Sequence, residues 1–203
     1  YPLENSVEFV EIFFGLSKIG VIGAPVMPSS VGREIKHVVD DLDAKFMIVG
    51  QGAKAAVSEI SGSLKSVEQV IGIGEHSQPL DYAQLVADAS DEEPNGPHAP
   101  DANLTIKYTS GTTGAPKGCI QTHRQILTCG MINLFHTPFA DDEIAAINGP
   151  MAAGANLSML SLYVLGGATI VLMPKFDAGA LMELIPREKL TVTRPGTSKV
   201  LLG

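Results

Sequence analysis

The sequence predicts an α/β fold with mainly parallel sheets and helices on both faces. Three observations carry that expectation. Short apolar runs of strand length alternate with longer stretches of helical periodicity along the whole chain. Capping residues and glycine or proline breaks fall between them, where an alternating chain has to turn. Of the 203 residues, 45% are apolar, enough for a sizeable core in one large domain or two small ones.

Asn5 and Glu8 have the spacing of a capping box, and Val7, Val10, Phe13, Phe14 and Ser17 continue at helical spacing to Gly20, which predicts a first helix. "VIGAPVM" then reads as a buried strand, Ser30 as the cap of a second helix through "REIKHVVDDL", and "KFMIVG" as another strand. That order makes a βαβ unit, for which parallel pairing is the default. A short helix at "KAAVSEI", a strand at "VEQVIGIG" and a helix at "DYAQLVA" extend the pattern. From Asp88 to Asn103 the chain is acidic, proline-bearing and almost without large apolar residues, so a surface loop is expected. It leads into the alternating strand "LTIKYT". A strand at "GCIQTH", a helix from Arg124 to Phe135 and a strand "IAAIN" follow. The helix "NLSMLSLYVL", the strand "ATIVLM", the helix "AGALMELIPRE" and the strand "LTVT" complete the alternation, with no repeat of fixed period.

Composition narrows the function classes. A net charge of −8 without clustered Lys and Arg argues against nucleic acid. No run reaches the roughly eighteen apolar residues that a transmembrane segment needs, and the start lacks the layout of a signal peptide. A soluble, cytoplasmic protein is expected. Cys119 and Cys129 form neither a CxxC pair nor part of a metal-spaced cluster and read as reduced packing residues. The chain opens on Tyr1 and stops in the apolar "TSKVLLG", so it reads as a fragment of something longer.

The most specific stretch is "YTSGTTGAPKG", Tyr108 to Gly118. Gly111, Gly114 and Gly118 allow close backbone approach to a ligand. Thr109, Ser110, Thr112 and Thr113 offer rotatable O–H donors, Lys117 adds a point charge, and Pro116 stiffens the chain before it. Many donors around one cation suit a polyphosphate. The Walker pattern is absent, because Pro116 and Gly118 flank the lysine where Gly and Ser or Thr are required, and the G-x-G-x-x-G fingerprint is absent too.

This stretch resembles the phosphate-binding signature of the adenylate-forming (AMP-binding) enzymes, the superfamily of acyl-CoA synthetases, aryl-CoA ligases, firefly luciferase and nonribosomal adenylation domains. The likeness continues into "THRQIL", upstream through the helix ending in K-x-G and the helix near "REI", and downstream into "GGATIV" and "FD". It implies that residues 1–203 are a fragment of the N-terminal adenylating domain of an acid–CoA ligase. About 1–100 would be a first α/β portion and about 101–203 the portion carrying the phosphate loop, with the C-terminal domain absent. It implies ATP, Mg²⁺ and coenzyme A as cosubstrates and cofactors, and a small-molecule carboxylic acid as substrate. Thr109, Ser110, Gly111, Thr112, Thr113, Gly114 and Lys117 would hold the departing β- and γ-phosphates. The later motifs of the family fall beyond Gly203, so the fragment alone is expected to be inactive. The lack of a Y-P-x-E-R turn favours acid–CoA ligases over amino-acid-activating domains and leaves fatty, aryl and small acids open. The alternative is a noncatalytic nucleotide-binding or interaction module that keeps the fold.

One departure from the family stands in "GPMAAGANL". Ala152 and Ala153 occupy places where an aromatic residue and a histidine are common, which leaves the entrance to an acyl pocket in doubt. His123 is expected to cap or pack rather than act as a base. His37, His76, His98 and His136 have no partner at recognisable spacing, and Asp40, Asp41 and Asp43 are expected to face solvent. The "MLSLYVL" stretch reads as core. Apolar surface left exposed is expected to bring copies together as a homo-oligomer.

Overall fold

A computed structural model describes residues 1–75, 77–94, 99–109, 116–137, 140 and 142–193. Helix α1 (Val7–Lys18) is capped by Ser6, whose Oγ accepts from the Phe9 amide at 3.3 Å, and not by Asn5. It ends at Gly20, whose φ of 69° is open to glycine at no steric cost. Helix α2 (Gly32–Leu42) begins after Val31 rather than Ser30; the Glu34 carboxylate accepts from the Val31 amide at 3.3 Å.

"VIGAPVM" forms no strand. It makes single parallel bridges, Pro2 to Val26 and Gly23 to Thr105. Pro25 and Pro28 lack the amide hydrogens that a continuous ladder would need.

The described residues form three sheets. The first has the order β1 (Phe46–Val49), β2 (Gln69–Gly72), β3 (Leu80–Asp81), all parallel, with α3 (Lys54–Ile60) in the β1–β2 crossover. Helix α4 (Tyr82–Ala87) follows directly, capped by Asp81. The second is an antiparallel pair, β4 (Asn103–Thr109) and β5 (Lys117–Thr122). Antiparallel pairing follows from the short connection, since a parallel return needs a crossover of a dozen or more residues. Helix α5 (His123–His136) opens on a reciprocal capping box. Thr122 Oγ1 accepts from the Gln125 amide at 3.2 Å, and Gln125 Oε1 accepts from the Thr122 amide at 2.9 Å.

The third sheet has β6 (Ile144–Ile147) at its centre, parallel to β7 (Thr169–Leu172) on one side and β8 (Val192–Thr193) on the other. Helix α6 (Gly154–Leu165) makes the first crossover, and α7 (Ala178–Arg187), capped by Asp177, makes the second. The α/β fold with mainly parallel sheets is therefore as the sequence predicts.

Leu157, Leu160, Leu162 and Tyr163 of α6 are each at most 1% exposed. Burial of such side chains contributes about 1.5–3 kcal/mol each, so α6 is a main source of cohesion. They join Phe9, Ile12 and Phe13 of α1, Leu104, Ile126, Ala145 and Ile147 in one core cluster. A second cluster lies between α2, α3 and β1, around Ile35, Val39, Met47 and Val57. Among the described residues no helix is long and apolar enough to cross a membrane.

Candidate functional site

Strands β4 and β5 bring the two ends of the glycine-hydroxyl stretch together. Thr109, the last residue of β4, is the register partner of Lys117, the first of β5, and Tyr108 is opposite Gly118. Both Thr109 and Lys117 are exposed. Ser110, Gly111, Thr112, Thr113 and Gly114 lie outside the described residues. The loop is thus held at its base by a ladder whose end pair is one hydroxyl and one amine, from the two sides of the same hairpin.

Gly118 has a packing reason of its own. A Cβ there would come within 2.9 Å of Ile106 Cγ2 and 3.2 Å of Tyr108 Cζ, so any larger residue would push the Tyr108 ring aside. That ring is an anchor. Tyr108 Oη donates to the Asp41 carboxylate of α2, and burial together with this bond raises the phenol above its ordinary range. From the same helix His37 Nε2 donates to the Pro116 carbonyl at 3.0 Å, and its ring meets Tyr108 edge-on with centroids 6.1 Å apart. Helix α2 therefore grips both sides of the hairpin just below the loop.

His37 thus has a partner that no sequence spacing announces, the Pro116 carbonyl. Asp40, Asp41 and Asp43 are exposed, as expected, and each also has a partner at the surface: Lys36, Tyr108 and Lys45 respectively. His76 and His98 lie outside the described residues. His123 is the first residue of α5, with Thr122 as its cap.

Thr109 edges two cavities. One, of about 270 Å³, lies toward Val26, Glu34, Val38 and Pro116. The other, of about 850 Å³, opens between β4, β5 and the first turn of α6, against Ala152, Ala153 and Gly154. Side chains alternate along a strand, so Thr105, Lys107 and Thr109 share a face. Thr105 is sealed by donating to the Gly23 carbonyl at 2.8 Å. Lys107 is 7% exposed, lines the larger cavity and donates to the Gly154 carbonyl at 3.3 Å.

Desolvation lowers the Lys107 ammonium to about 8, with the Cys129 thiol of α5 opposing weakly. Unfolded, it would titrate near 10.5. The native state therefore holds the charge at a cost below pH 8, and that cost disappears as pH rises through 8 toward 10.5. Lys107→Met is expected to gain about 2 kcal/mol of stability at pH 7, after allowance for solvent at the cleft, and to gain nothing near pH 10.5. Urea denaturation of both proteins across that range checks it; an equal gain at every pH would show that the ammonium is not the cause.

Comparison with known proteins places this arrangement. The AMP-binding enzyme family matches residues 2–195. The long-chain-fatty-acid–CoA ligase FadD13 of Mycobacterium tuberculosis is 28% identical over 193 residues, 94% of this chain and 37% of that protein. A feruloyl-CoA synthase of Amycolatopsis is 31% identical over 191 residues, 93% of this chain and 36% of that protein. The inhibitor-bound crystal structure of the N-terminal domain of FACL13 from Mycobacterium tuberculosis superimposes with a TM-score of 0.87 at 27% identity, covering 94% of this chain and 47% of that one. The chain thus spans a little over a third of the length of the curated relatives it matches. With a hairpin at β4 and β5, two parallel sheets and a family match over residues 2–195, the chain belongs to the AMP-binding enzyme family.

Proposed function

We propose that the protein carrying this chain is an acid–CoA ligase. A carboxylate oxygen attacks the α-phosphorus of ATP, the bond to the β-phosphate breaks, and pyrophosphate leaves with its electron pair to give an acyl-adenylate. The thiol of coenzyme A then attacks the acyl carbon and AMP departs. The observation that carries the reading is the hairpin base: Thr109 and Lys117 are register partners across the ladder, with Thr109 lining an open cleft. The loop donors Ser110, Gly111, Thr112, Thr113 and Gly114, with Thr109 and Lys117, hold the departing phosphates by positioning and charge neutralisation.

Mg²⁺ belongs to this reading as a companion of the phosphates. Among the described residues no group of three or more His, Cys, Asp or Glu could hold a metal, so no residue of the chain is assigned to it and no step is routed through it. The division near residue 100, inactivity of the chain alone and a cytoplasmic site of action with soluble cosubstrates are parts of the same proposal. So is association of copies, supported by Leu127, Met131, Ile132 and Phe135 exposed along α5.

ATP–pyrophosphate exchange tests the proposal. The longer protein is expected to incorporate labelled pyrophosphate into ATP only when a carboxylic acid is present, and the isolated chain to give none. No exchange by the longer protein with any acid offered, while ATP still binds, would favour a noncatalytic nucleotide-binding module instead.

A further inference from the structure

We propose that the cleft beside the loop takes a carboxylic acid bearing a second acidic group, and that the Lys107 ammonium binds this second carboxylate. The inference rests on the acid–CoA ligase reading for the reaction, and on this chain's own residues for the specificity. An ammonium carries three donors, and Lys107 uses one of them on the Gly154 carbonyl. Among the described residues no carboxylate forms an ion pair with it, although lysines this buried are almost always paired.

The space around it is the second observation. The cleft has a volume of about 850 Å³, and beside Lys107 its wall is made by Ala152 and Ala153, whose methyl groups leave room for a ligand. Met27 and Ile120 add apolar wall on which the chain of an acid can lie. Thr109, at the root of the phosphate loop, is two residues farther along the same strand face, about 7 Å away by strand rise. A short linear diacid lying along this strand face, with its reacting carboxylate toward Thr109, spans that distance, and its far end meets the amine.

Charge then decides what that far end is. An aliphatic or aryl tail lodged against Lys107 would strip water from a cation and return nothing. A carboxylate returns charge-assisted hydrogen bonds to the two remaining donors and neutralises the charge. Such bonds correspond to a preference of about tenfold or more.

The test compares matched probes, glutarate with pentanoate and adipate with hexanoate, at pH 7 in ATP–pyrophosphate exchange by the longer protein. The expected result is a preference of about tenfold or more for each diacid, expressed in KM rather than kcat. Lys107→Met should abolish the preference by raising the diacid KM, and Lys107→Arg should keep most of it. A wild-type preference for the monoacids, or an equal loss on both probes in Lys107→Met, overturns the proposal. If no acid supports exchange, the ligase reading fails by itself and binding still decides the subsite. NMR of the ¹³C-methylated lysines, with the Lys107 signal assigned by its loss in Lys107→Met, should show that signal move with glutarate and stay still with pentanoate. No movement with glutarate overturns the subsite.

Discussion

Asn5→Leu is expected to cost about 4 kcal/mol of folding stability, a large part of the roughly 5–15 kcal/mol that holds a domain together. Asn5 is 3% exposed and makes three hydrogen bonds to distant parts of the chain. Its Nδ2 donates to the Gly149 carbonyl at 2.8 Å and the Met173 carbonyl at 2.9 Å, and its Oδ1 accepts from the Met151 amide at 2.7 Å. One side chain thus ties the start of α1 to the turns after β6 and β7. Leucine has a similar volume, so little cavity is created; the cost comes from a buried amide and two carbonyls left without partners, at about 1–3 kcal/mol each. Asn5→Asp is the sharper probe, since it keeps the shape and turns an oxygen toward two carbonyls. Repulsion and burial raise the folded pKa of that aspartate above its unfolded value, so the variant's stability falls as pH rises from about 4 toward neutrality. Urea midpoints at unchanged slope, measured at several pH values, check both variants. A loss below about 1 kcal/mol for Asn5→Leu would mean that water satisfies the orphaned groups.

Asn5 also shows where reading along the chain ends. Its spacing to Glu8 fits a capping box, yet Ser6 does the capping and Asn5 serves residues 144–168 positions away. No local pattern announces that. The elements whose cause is local were legible. Thr122 with Gln125, Asp81 and Asp177 cap their helices from within three residues, and the alternation of "LTIKYT" makes β4. "VIGAPVM" has the apolar content of a strand, yet Pro25 and Pro28 lack the donors a ladder needs, so it makes bridges but no strand. At the site, the two strands that flank the glycine-hydroxyl stretch were legible from residue types. The grip of His37 and Asp41 was not, because α2 reaches the hairpin only through the fold. Lys107 sits on the polar face of its strand pattern, and nothing in that alternation marks it as buried. Burial comes from the first turn of α6, 47 residues on, and the one local hint was its shared face with Thr109.

Lys117→Met is expected to lower kcat for adenylation by about 10²–10³-fold in the longer protein while leaving stability within about 0.5 kcal/mol. Stability is spared because the side chain is exposed and β5 pairs with β4 through its backbone, which the substitution keeps. The effect falls on kcat for a reason of charge. As the bond from the α- to the β-phosphate breaks, negative charge accumulates on the departing pyrophosphate, so a cation beside it stabilises the transition state more than bound ATP. On the proposed reading ATP affinity is shared with the hydroxyl and backbone donors of the loop and should change far less. Lys117→Arg keeps the charge but not the compact ammonium, and should recover part of the rate. Thr109→Val, which removes one neutral hydroxyl from the opposite end of the same cross-strand pair, should cost about tenfold, in line with one ordinary hydrogen bond. Pre-steady-state release of pyrophosphate, measured beside ATP binding, separates the two quantities. If Lys117→Met weakened ATP binding with the chemical step unaltered, the lysine would be a ground-state anchor and its role in holding the leaving group would be refuted.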